Sequence, residues 1–554
     1  MLSEPLTVPE LLASAAERAR GGFFFHLAGG PVALAEAELY ARALGRAAQL
    51  QGSGFGQGAM VGLLGPNCPE WAEWAWGTWL SGAVLVPLPA PLRVRDRSAY
   101  SGQVASLAGA TNCSVIVGAD RYLSALDGAL CQKLAWGDEP RSGVPLHPVQ
   151  TSPADLAMVL CTSGSTAAPK AVRMTHERAV VWARARASQG PICPVPVSVS
   201  WLPFYHIGGL GALFEVFSPV ERHFLPMAQF ARDPAQWLRL ASRTGASFTV
   251  GPSSAWAAAV RGLAKSPAGA NLSCLRNAFF NAEMVAPDVV ERISEVCAPL
   301  GLAPGSLGVH YASSEAGLIC HADPGRPLRI DEVDLDELAR SWQALPARAG
   351  KPVKRVVSCG VPFAGVEVCA GRPSAPLADR HVGEIWVRGP GVTDGYLNLS
   401  SEGQFAGDWL RTGDLGYQAD GEWFVTGRLD EVIVRLGEKF HPEDIEQAVQ
   451  RATGVPASHC VAFSAEEGGQ GGLVVVVEAF GGSGELARRA RAAVANALGL
   501  APSEVLVVRR GTIPTTANGK LQRAAARQLH QRAKLRPLPD AAAPANEMRR
   551  RPLR

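Results

Sequence analysis

The sequence of 554 residues has few of the features that mark secreted, membrane or metal-cluster proteins. Its 11 cysteines include no C-x-x-C pair, which argues against a disulfide framework or a zinc site and fits free thiols in a reducing compartment. The 53 basic and 50 acidic residues leave a net charge of only +3, so no nucleic-acid partner is expected. The N-terminus lacks a basic region followed by an apolar one, so no secretory signal is predicted.

Long apolar runs are also missing. The nearest candidate, residues 74–92, has no charge but is interrupted by two glycines and three prolines, which indicates a helix, a buried strand and a loop. We therefore expect a cytoplasmic protein without membrane insertion. At this length and with 47% hydrophobic residues, the chain is expected to fold into more than one domain.

The pattern of apolar segments predicts an α/β fold. Residues 8–50 carry helical patterning, and strand-like runs at 61–64, 83–86, 114–117 and 156–161 alternate with helical stretches, as in parallel sheets. Short alternating strands after residue 361 predict a small antiparallel barrel or sheet. We predict a large N-terminal domain (1–427), a small mobile C-terminal α+β domain (431–535) and a disordered tail (536–554).

A loop rich in small and hydroxylated residues follows the apolar run at 156–161. Exposed amides in such a turn form an anion-binding concavity that hydroxyl groups extend, so a polyphosphate is its natural ligand. The loop does not match the Walker pattern, and a plain surface turn is the alternative. Its candidate phosphate contacts are Thr162, Ser163, Gly164, Ser165, Thr166 and Lys170.

Four later positions are candidates for the same site. His206 ends a strand beside a glycine pair, where it either lines a cleft or packs in the core. Tyr311 can stack on a purine and Glu315 can hold a divalent cation, although each also suits a capped turn. Asp414 lies in a glycine turn, where it can accept from both ribose hydroxyls or form an Asx-turn.

Together these segments resemble the adenylate-forming superfamily of acyl-CoA synthetases, adenylation domains and luciferases. The resemblance is carried by five motifs in the family's order. They are residues 162–170, 311–315, 412–417, 427–430 and 514–520.

The resemblance implies a role for each matching residue. The first loop would hold pyrophosphate, with ATP and Mg²⁺ as cofactors. Lys520 would bridge the acid carboxylate and the α-phosphate, His206 would lie beside that carboxylate, and Asp430 would be the hinge. The implied nucleotide contacts are Ala282, Glu283, Tyr311, Ala312, Ser314, Glu315 (also the magnesium ligand), Asp414 and Arg428.

Within the superfamily, residues 409–416, 424–429 and 441–446 look most like fatty acyl-AMP ligases. A charged segment at 322–357 also resembles the extra segment of that group, which is associated with poor transfer to CoA and delivery to a carrier protein. The resemblance thus implies activation of a carboxylic acid, expected to be a fatty acid, as an acyl adenylate and transfer to an acyl carrier protein. An ordinary acyl-CoA ligase and a nucleotide-binding protein without catalysis are the alternatives.

The chain departs from the family pattern at four positions. Ala167 and Ala171 replace glycines of the phosphate loop, and Ala312 replaces the glycine after Tyr311. The usual His-Asp pair is His206-Ile207 here, which bears on the acyl pocket.

Overall fold

A computed structural model describes residues 6–18, 21–92, 94, 96–128, 131–137, 146–147, 149–162, 169–188, 196–322, 325–435, 437–466, 471–481, 483–515 and 521–539. The chain divides into two compact units. Unit 1 comprises Met1–Glu332 and Arg355–Thr426, and unit 2 comprises Val333–Lys354 and Gly427–Arg554. Among the described residues, no helix has both the length and the apolar character needed to span a bilayer.

Unit 1 contains two large sheets that are mainly parallel, as predicted. In the nine-stranded sheet six neighbouring strands are parallel, and antiparallel strands continue it at both edges. Its order is β17 (Val361–Pro362), β14 (Gly317–His321), β13 (Leu307–Ser313), β12 (Asn277–Phe280), β11 (Phe248–Gly251), β9 (Val197–Ser200), β10 (Glu221–Phe224), β1 (Gly22–Leu27) and β2 (Gly30–Ala35).

The second large sheet has six strands, of which only the last is antiparallel to its neighbour. Its order is β6 (Gln132–Ala135), β5 (Val115–Gly118), β3 (Met60–Leu64), β4 (Val84–Leu88), β7 (Leu156–Thr162) and β8 (Lys170–Thr175). All five residues of β4 are buried, as expected for a parallel strand covered on both faces.

An antiparallel sheet of six strands completes unit 1, where the sequence predicted a small barrel or sheet. Its strands are β19 (Ala375–Pro376), β18 (Glu367–Arg372), β20 (Gly383–Arg388), β22 (Trp409–Ala419) and β21 (Phe405–Ala406), and β23 (Glu422–Arg428) also pairs with β22.

Eleven helices of unit 1 are described, and several cover the sheets. Four tryptophans of the third helix are fully buried, and ten of the twelve residues of that helix are buried in all. The helices are α1 (Val8–Arg18), α2 (Glu36–Gly52), α3 (Pro69–Leu80), α4 (Arg97–Ala110), α5 (Asp120–Leu123), α6 (His176–Ser188), α7 (Ile207–Phe214), α8 (Met227–Arg232), α9 (Ala235–Thr244), α10 (Ser253–Lys265) and α11 (Pro287–Cys297).

The hairpin of β1 and β2 interrupts the stretch 8–50 that the sequence predicted to be helical. Strand β1 pairs in parallel with β10, about two hundred residues further along the chain. A Cβ atom at Gly21, before β1, would lie 2.9 Å from the backbone of Val220. The β1 strand therefore forms because of a distant partner strand, and the local sequence pattern does not reveal that partner.

Unit 2 has two small sheets and the helices around them. Strands β24 (Ile433–Arg435) and β25 (Glu438–Phe440) form a hairpin, and β26 (Cys460–Ser464), β27 (Leu473–Ala479) and β28 (Glu504–Arg509) form a mixed sheet. The helices are α12 (Leu335–Ser341), α13 (Pro442–Thr453), α14 (Ser483–Leu498) and α15 (Arg523–Gln531).

Residues 333–354 belong to unit 2, although the predicted boundaries placed them in the N-terminal domain. Strands β15 (Ile330–Asp334) and β16 (Val353–Val357) carry the chain into and out of this segment. Ala339 of α12 is buried in one core cluster with Ile433 and Phe440. The segment is thus a part of the core of unit 2.

The end of the described chain also differs from the prediction. Residues 536–539 were assigned to a disordered tail, but the Leu538 amide donates to the Val507 carbonyl at 2.7 Å and Pro537 bridges to Val508. Residues 540–554 lie outside the described residues.

Candidate active site

The predicted phosphate loop joins two antiparallel strands. Thr162 at the end of β7 is in register with Lys170 at the start of β8. Both residues are partly buried. Four of the predicted phosphate contacts, namely Ser163, Gly164, Ser165 and Thr166, lie outside the described residues.

Residues 393–398 hold the start of β8. The Asn398 side chain accepts from the Ala171 amide at 3.0 Å and donates to the Pro169 carbonyl at 2.9 Å, so it binds the backbone on both sides of Lys170. The Lys170 ammonium lies 5.4 Å from the ring centroid of Tyr396. No role for Asn398 could be predicted from the sequence, because its partners lie 227 and 229 residues away.

Tyr311 and Asp414 are joined directly, although 103 residues separate them. The Tyr311 hydroxyl donates to Asp414 Oδ2 at 2.7 Å. Burial, followed by the neighbouring Asp414 carboxylate, raises the pKa of Tyr311 well above its usual value, so the phenol stays protonated and a donor. The Thr412 hydroxyl accepts from the Asp414 amide at 3.0 Å and fixes the turn. The structure therefore places the proposed purine and ribose residues side by side.

Ala312, Ser314 and Glu315 lie where β13 turns into β14. The sheet register shifts between Tyr311 and Ala312, which bends the strand at this point. The Glu315 carbonyl accepts from the Thr393 amide at 2.7 Å, and the Thr393 hydroxyl donates to the Arg173 carbonyl of β8 at 2.7 Å. Thr393 therefore connects the Glu315 turn to the strand after the phosphate loop through one backbone and one side-chain hydrogen bond.

Glu315 is the residue predicted to hold a magnesium ion. The described residues contain no group of three or more His, Cys, Asp or Glu side chains arranged to bind a metal. Mg²⁺ commonly binds one or two carboxylates together with substrate phosphates. The single carboxylate of Glu315 agrees with that mode of binding.

Residues 281–283 follow β12 at the same edge of the sheet. Ala282 has a positive φ of 67°, which is unusual for alanine. The Glu283 carboxylate accepts from the Ser254 amide at the N-terminus of α10, so this side chain stabilises a helix start. The Asn281 Oδ1 atom is buried and has no hydrogen-bond partner among the described residues.

His206 is the N-cap residue of α7. Its Nδ1 accepts from the Gly208 amide at 3.2 Å, which places the proton of the neutral imidazole on Nε2. A Cβ atom at Gly208 would lie 3.3 Å from Asn281 Nδ2 and 3.4 Å from His206 Nδ1. His206 and Asn281 thus adjoin each other through Gly208.

The remaining predicted residues lie in unit 2. Arg428 Nε is 3.4 Å from Asp430 Oδ1, and both side chains are exposed. Gly427 leaves room for His441, because a Cβ atom would lie 2.5 Å from the His441 ring. Lys520 lies outside the described residues, between Thr515 and Leu521, which form a bridge.

Known proteins are similar to this chain over most of its length. The sequence profile of the family described as AMP-binding enzyme matches residues 29–397. Among curated proteins, the putative ligase Rv1013 of Mycobacterium tuberculosis is 32% identical over 89% of this chain and 94% of its own length. The medium-chain-fatty-acid–[acyl-carrier-protein] ligase JamA of Moorena producens is 28% identical over 84% of each chain.

A solved structure from a study of fatty acyl-adenylate ligases from E. coli and L. pneumophila superimposes with a TM-score of 0.89 and 27% identity. It covers 96% of this chain and 99% of the other. Since the family profile spans more than half of the chain, this protein belongs to the AMP-binding enzyme family and is an adenylate-forming ligase of acyl acids.

Proposed function

We propose that this protein activates a carboxylic acid with ATP and transfers the acyl group to the pantetheine thiol of an acyl carrier protein. The acid carboxylate attacks the α-phosphorus of ATP, the bond to the β-phosphate oxygen breaks, and pyrophosphate leaves. The acyl adenylate is then attacked by the thiol, which releases AMP. The observation that supports the first step best is the joined Tyr311–Asp414 pair next to the Glu315 turn.

Electrostatics assigns the roles in the first step. The carboxylate and the triphosphate are both anionic, so a cation between them stabilises the transition state most. Lys520 is proposed to supply that charge. Tyr311 and Asp414 hold adenosine, His206 orients the acid, and Lys170 with its hydroxylated loop binds the leaving pyrophosphate. A Mg²⁺ ion near Glu315 would neutralise phosphate charge.

The chain connections of unit 2 bear on which thiol accepts the acyl group. Because residues 333–354 belong to unit 2, the chain passes between the two units three times, after Glu332, Lys354 and Thr426. A rotation of unit 2 about the predicted hinge at Asp430 must therefore also move the chain connections after Glu332 and after Lys354. We infer that these connections restrict the rotation, so that a rotated state that admits CoA is reached less readily. We therefore propose a carrier protein as the acceptor, with CoA a poor one.

The experiment uses the full chain. Acid-dependent exchange of labelled pyrophosphate into ATP tests adenylation, and the yield of thioester on a holo-carrier protein is then compared with the yield on CoA. The apo-carrier protein, which lacks the thiol, is the control. We expect exchange with at least one acid and more thioester on the carrier. Efficient transfer to CoA would identify an ordinary acyl-CoA ligase, and ATP binding without exchange would contradict the proposed reaction.

A further inference from the structure

We propose that Asn67 is a positioning residue for the acid. It fixes the backbone turn that carries His206, and so aligns the acid side of the site with the phosphate side. This inference rests on the proposed function, in which His206 orients the acid carboxylate. It adds a residue that acts on the acid through another residue and does not contact it.

The Asn67 side chain binds the backbone on both sides of Pro203. Its Nδ2 donates to the Leu202 carbonyl at 2.7 Å, and its Oδ1 accepts from the Phe204 amide at 2.8 Å. Both bonds are buried, and the two partners lie 135 and 137 residues away in the chain. Only an amide side chain offers one donor and one acceptor side by side in this way. Asn67 therefore holds a turn that belongs to a distant part of the chain.

The turn held by Asn67 leads directly to His206. The His206 amide donates to the Pro203 carbonyl at 3.0 Å, and the His206 carbonyl accepts from the Leu210 amide of α7 at 2.8 Å. A Cβ atom at Gly209 would lie 2.3 Å from the Pro203 oxygen and 2.5 Å from the Leu202 oxygen, so the turn packs closely against the helix. The position of Pro203 thus determines the position of the His206 backbone.

Aromatic packing leaves the turn little freedom to move. Phe204 is fully buried, and its ring centroid lies 4.9 Å from that of Phe224 and 5.3 Å from that of Trp71. Trp71 belongs to α3, which begins at Pro69, just after Asn67. Any displacement of the turn would have to move a ring in a close-packed core.

The contact of Asn67 connects the two large sheets of unit 1. Asn67 follows β3 of the six-stranded sheet, and the turn at 202–204 follows β9 of the nine-stranded sheet. The six-stranded sheet also contains β7 and β8, which flank the phosphate loop, whereas Tyr311 lies on the nine-stranded sheet. Attack of the acid on the α-phosphorus needs both sides in register, and a displacement of about 1 Å can cost on the order of 100-fold in rate.

The hydrogen bonds of His206 make its function sensitive to the turn. Its Nδ1 accepts from the Gly208 amide, so the neutral ring has a single N–H, on Nε2, to offer to a carboxylate. The ring is thus attached to the same backbone that Pro203 positions. A displaced turn would disturb this donor and leave the Tyr311–Asp414 pair intact. Loss of Asn67 is therefore expected to affect the acid and not ATP.

The first test measures pyrophosphate exchange by Asn67→Asp, which keeps the bond to the Phe204 amide but cannot donate to the Leu202 carbonyl. The probe is the fastest acid among hexanoic, octanoic, dodecanoic and hexadecanoic acids. We expect kcat/KM for that acid to fall at least about 5-fold, while the Kd of ATP measured by calorimetry is unchanged. Ser101→Ala is the matched control, because it removes a buried bond to the Asp127 amide in a helix that supplies no proposed site residue. It should keep the wild-type kcat/KM.

The second test is a double-mutant cycle of Asn67→Asp with His206→Ala. If Asn67 acts through His206, Asn67→Asp should lower kcat/KM by less than about 2-fold when His206 is already absent. Two effects that multiply would show that Asn67 supports unit 1 generally, and would overturn this inference. If Asn67→Asp loses ATP binding because it does not fold, Asn67→Ser, which is smaller and admits water to the two backbone groups, replaces it in the cycle.

The remaining outcomes separate this inference from the proposed function. A wild-type kcat/KM in Asn67→Asp, with a reduced value in His206→Ala, would overturn the role of Asn67 alone. A wild-type value in His206→Ala would contradict the proposed role of His206 and this inference with it. No exchange with any acid, while ATP still binds, would contradict the proposed function itself.

Discussion

Single residues of the proposed nucleotide site can be separated into those proposed to bind the nucleotide and those that position its surroundings. Asp414 belongs to the first kind. We expect Asp414→Ala to weaken ATP binding at least about 10-fold, because hydrogen bonds of a carboxylate to two ribose hydroxyls are worth about 1.5–3 kcal/mol each. Isothermal titration calorimetry measures the affinity, and Asp408→Ala, an exposed aspartate before β22, is the control. If Asp414→Ala binds ATP with wild-type affinity, Asp414 stabilises the turn and does not bind the nucleotide.

Asn398 belongs to the second kind, because it binds the backbone on both sides of Lys170. Asn398→Asp keeps the bond to the Ala171 amide but cannot donate to the Pro169 carbonyl. We expect the KM for ATP to rise about 5-fold, which is the effect of roughly 1 kcal/mol for one hydrogen bond, with little change in the KM for the acid.

The control for Asn398 is Asn271→Asp, since Asn271 Oδ1 only accepts from the Ser273 amide and aspartate can do the same. Pyrophosphate exchange at varied ATP and varied acid provides both KM values. An equal rise in both values would indicate general damage to unit 1 and no specific role at the phosphate loop.

Among the elements, helices α1 and α6 are linked by a buried histidine. The Val8 amide donates to His176 Nδ1 at 3.3 Å, and burial lowers the pKa of His176 to about 4 although Asp155 and Glu10 act in the opposite direction. The unfolded chain therefore binds a proton between pH 6.5 and 4 that the folded chain does not. We expect unfolding free energy to fall by about 3 kcal/mol as the pH decreases through this window.

Chemical denaturation of the full chain at several pH values tests this effect. His176→Gln should flatten the dependence between pH 6.5 and 4, whereas His147→Gln, at an exposed position, should leave it unchanged. An unaltered pH dependence in His176→Gln would assign acid destabilisation to other groups.

The segment of residues 333–354, which contains α12, allows a second test of stability, because its two lysines differ in burial. The Lys354 ammonium lies 2.8 Å from Asp444 Oδ2, with 5% and 13% of the side chains exposed, and burial raises the pKa of Asp444. Lys351 pairs with Asp336 at 3.1 Å, but 47% of its side chain is exposed. We expect Lys354→Met to destabilise unit 2 by about 3–5 kcal/mol and Lys351→Met by less than about 1 kcal/mol.

Differential scanning calorimetry of the full chain measures both variants. Equal and small shifts in Tm would show that the segment contributes little to unit 2.

The core position of Ala339 also bears on how the acceptor is tested, because shortening the segment would remove part of that core. Transfer to CoA is therefore best measured on the intact chain.

At the scale of the whole molecule, the proposed reaction needs a cation between the acid carboxylate and the triphosphate. We expect Lys520→Ala to lower acid-dependent pyrophosphate exchange by about two orders of magnitude, as for loss of one key electrostatic group. ATP affinity should change little, because the proposed adenosine contacts Tyr311 and Asp414 lie in unit 1. Lys534→Ala, an exposed lysine of unit 2, is the control. Exchange at the wild-type rate would exclude Lys520 from the chemistry.

The α/β class and the family could be predicted from the sequence because both rest on local patterns. Buried parallel strands such as Val84–Leu88 are continuous apolar runs, and the motifs around Thr162, Tyr311 and Asp414 are contiguous residues whose chemistry suits phosphate, purine and ribose. An apolar run or a contiguous motif can be recognised in a short segment, whatever the tertiary structure around it.

Tertiary structure decided the features that depend on distant partners. Strand β1 exists because β10 pairs with it, and residues 333–354 join unit 2 because Ala339 and Lys354 find their partners there. The bonds of Asn398 and the Tyr311–Asp414 hydrogen bond likewise join residues far apart in the chain. Side chains at such separations come together only when the sheets form, so the local pattern determined the chemistry available to this protein, and folding decided which groups meet.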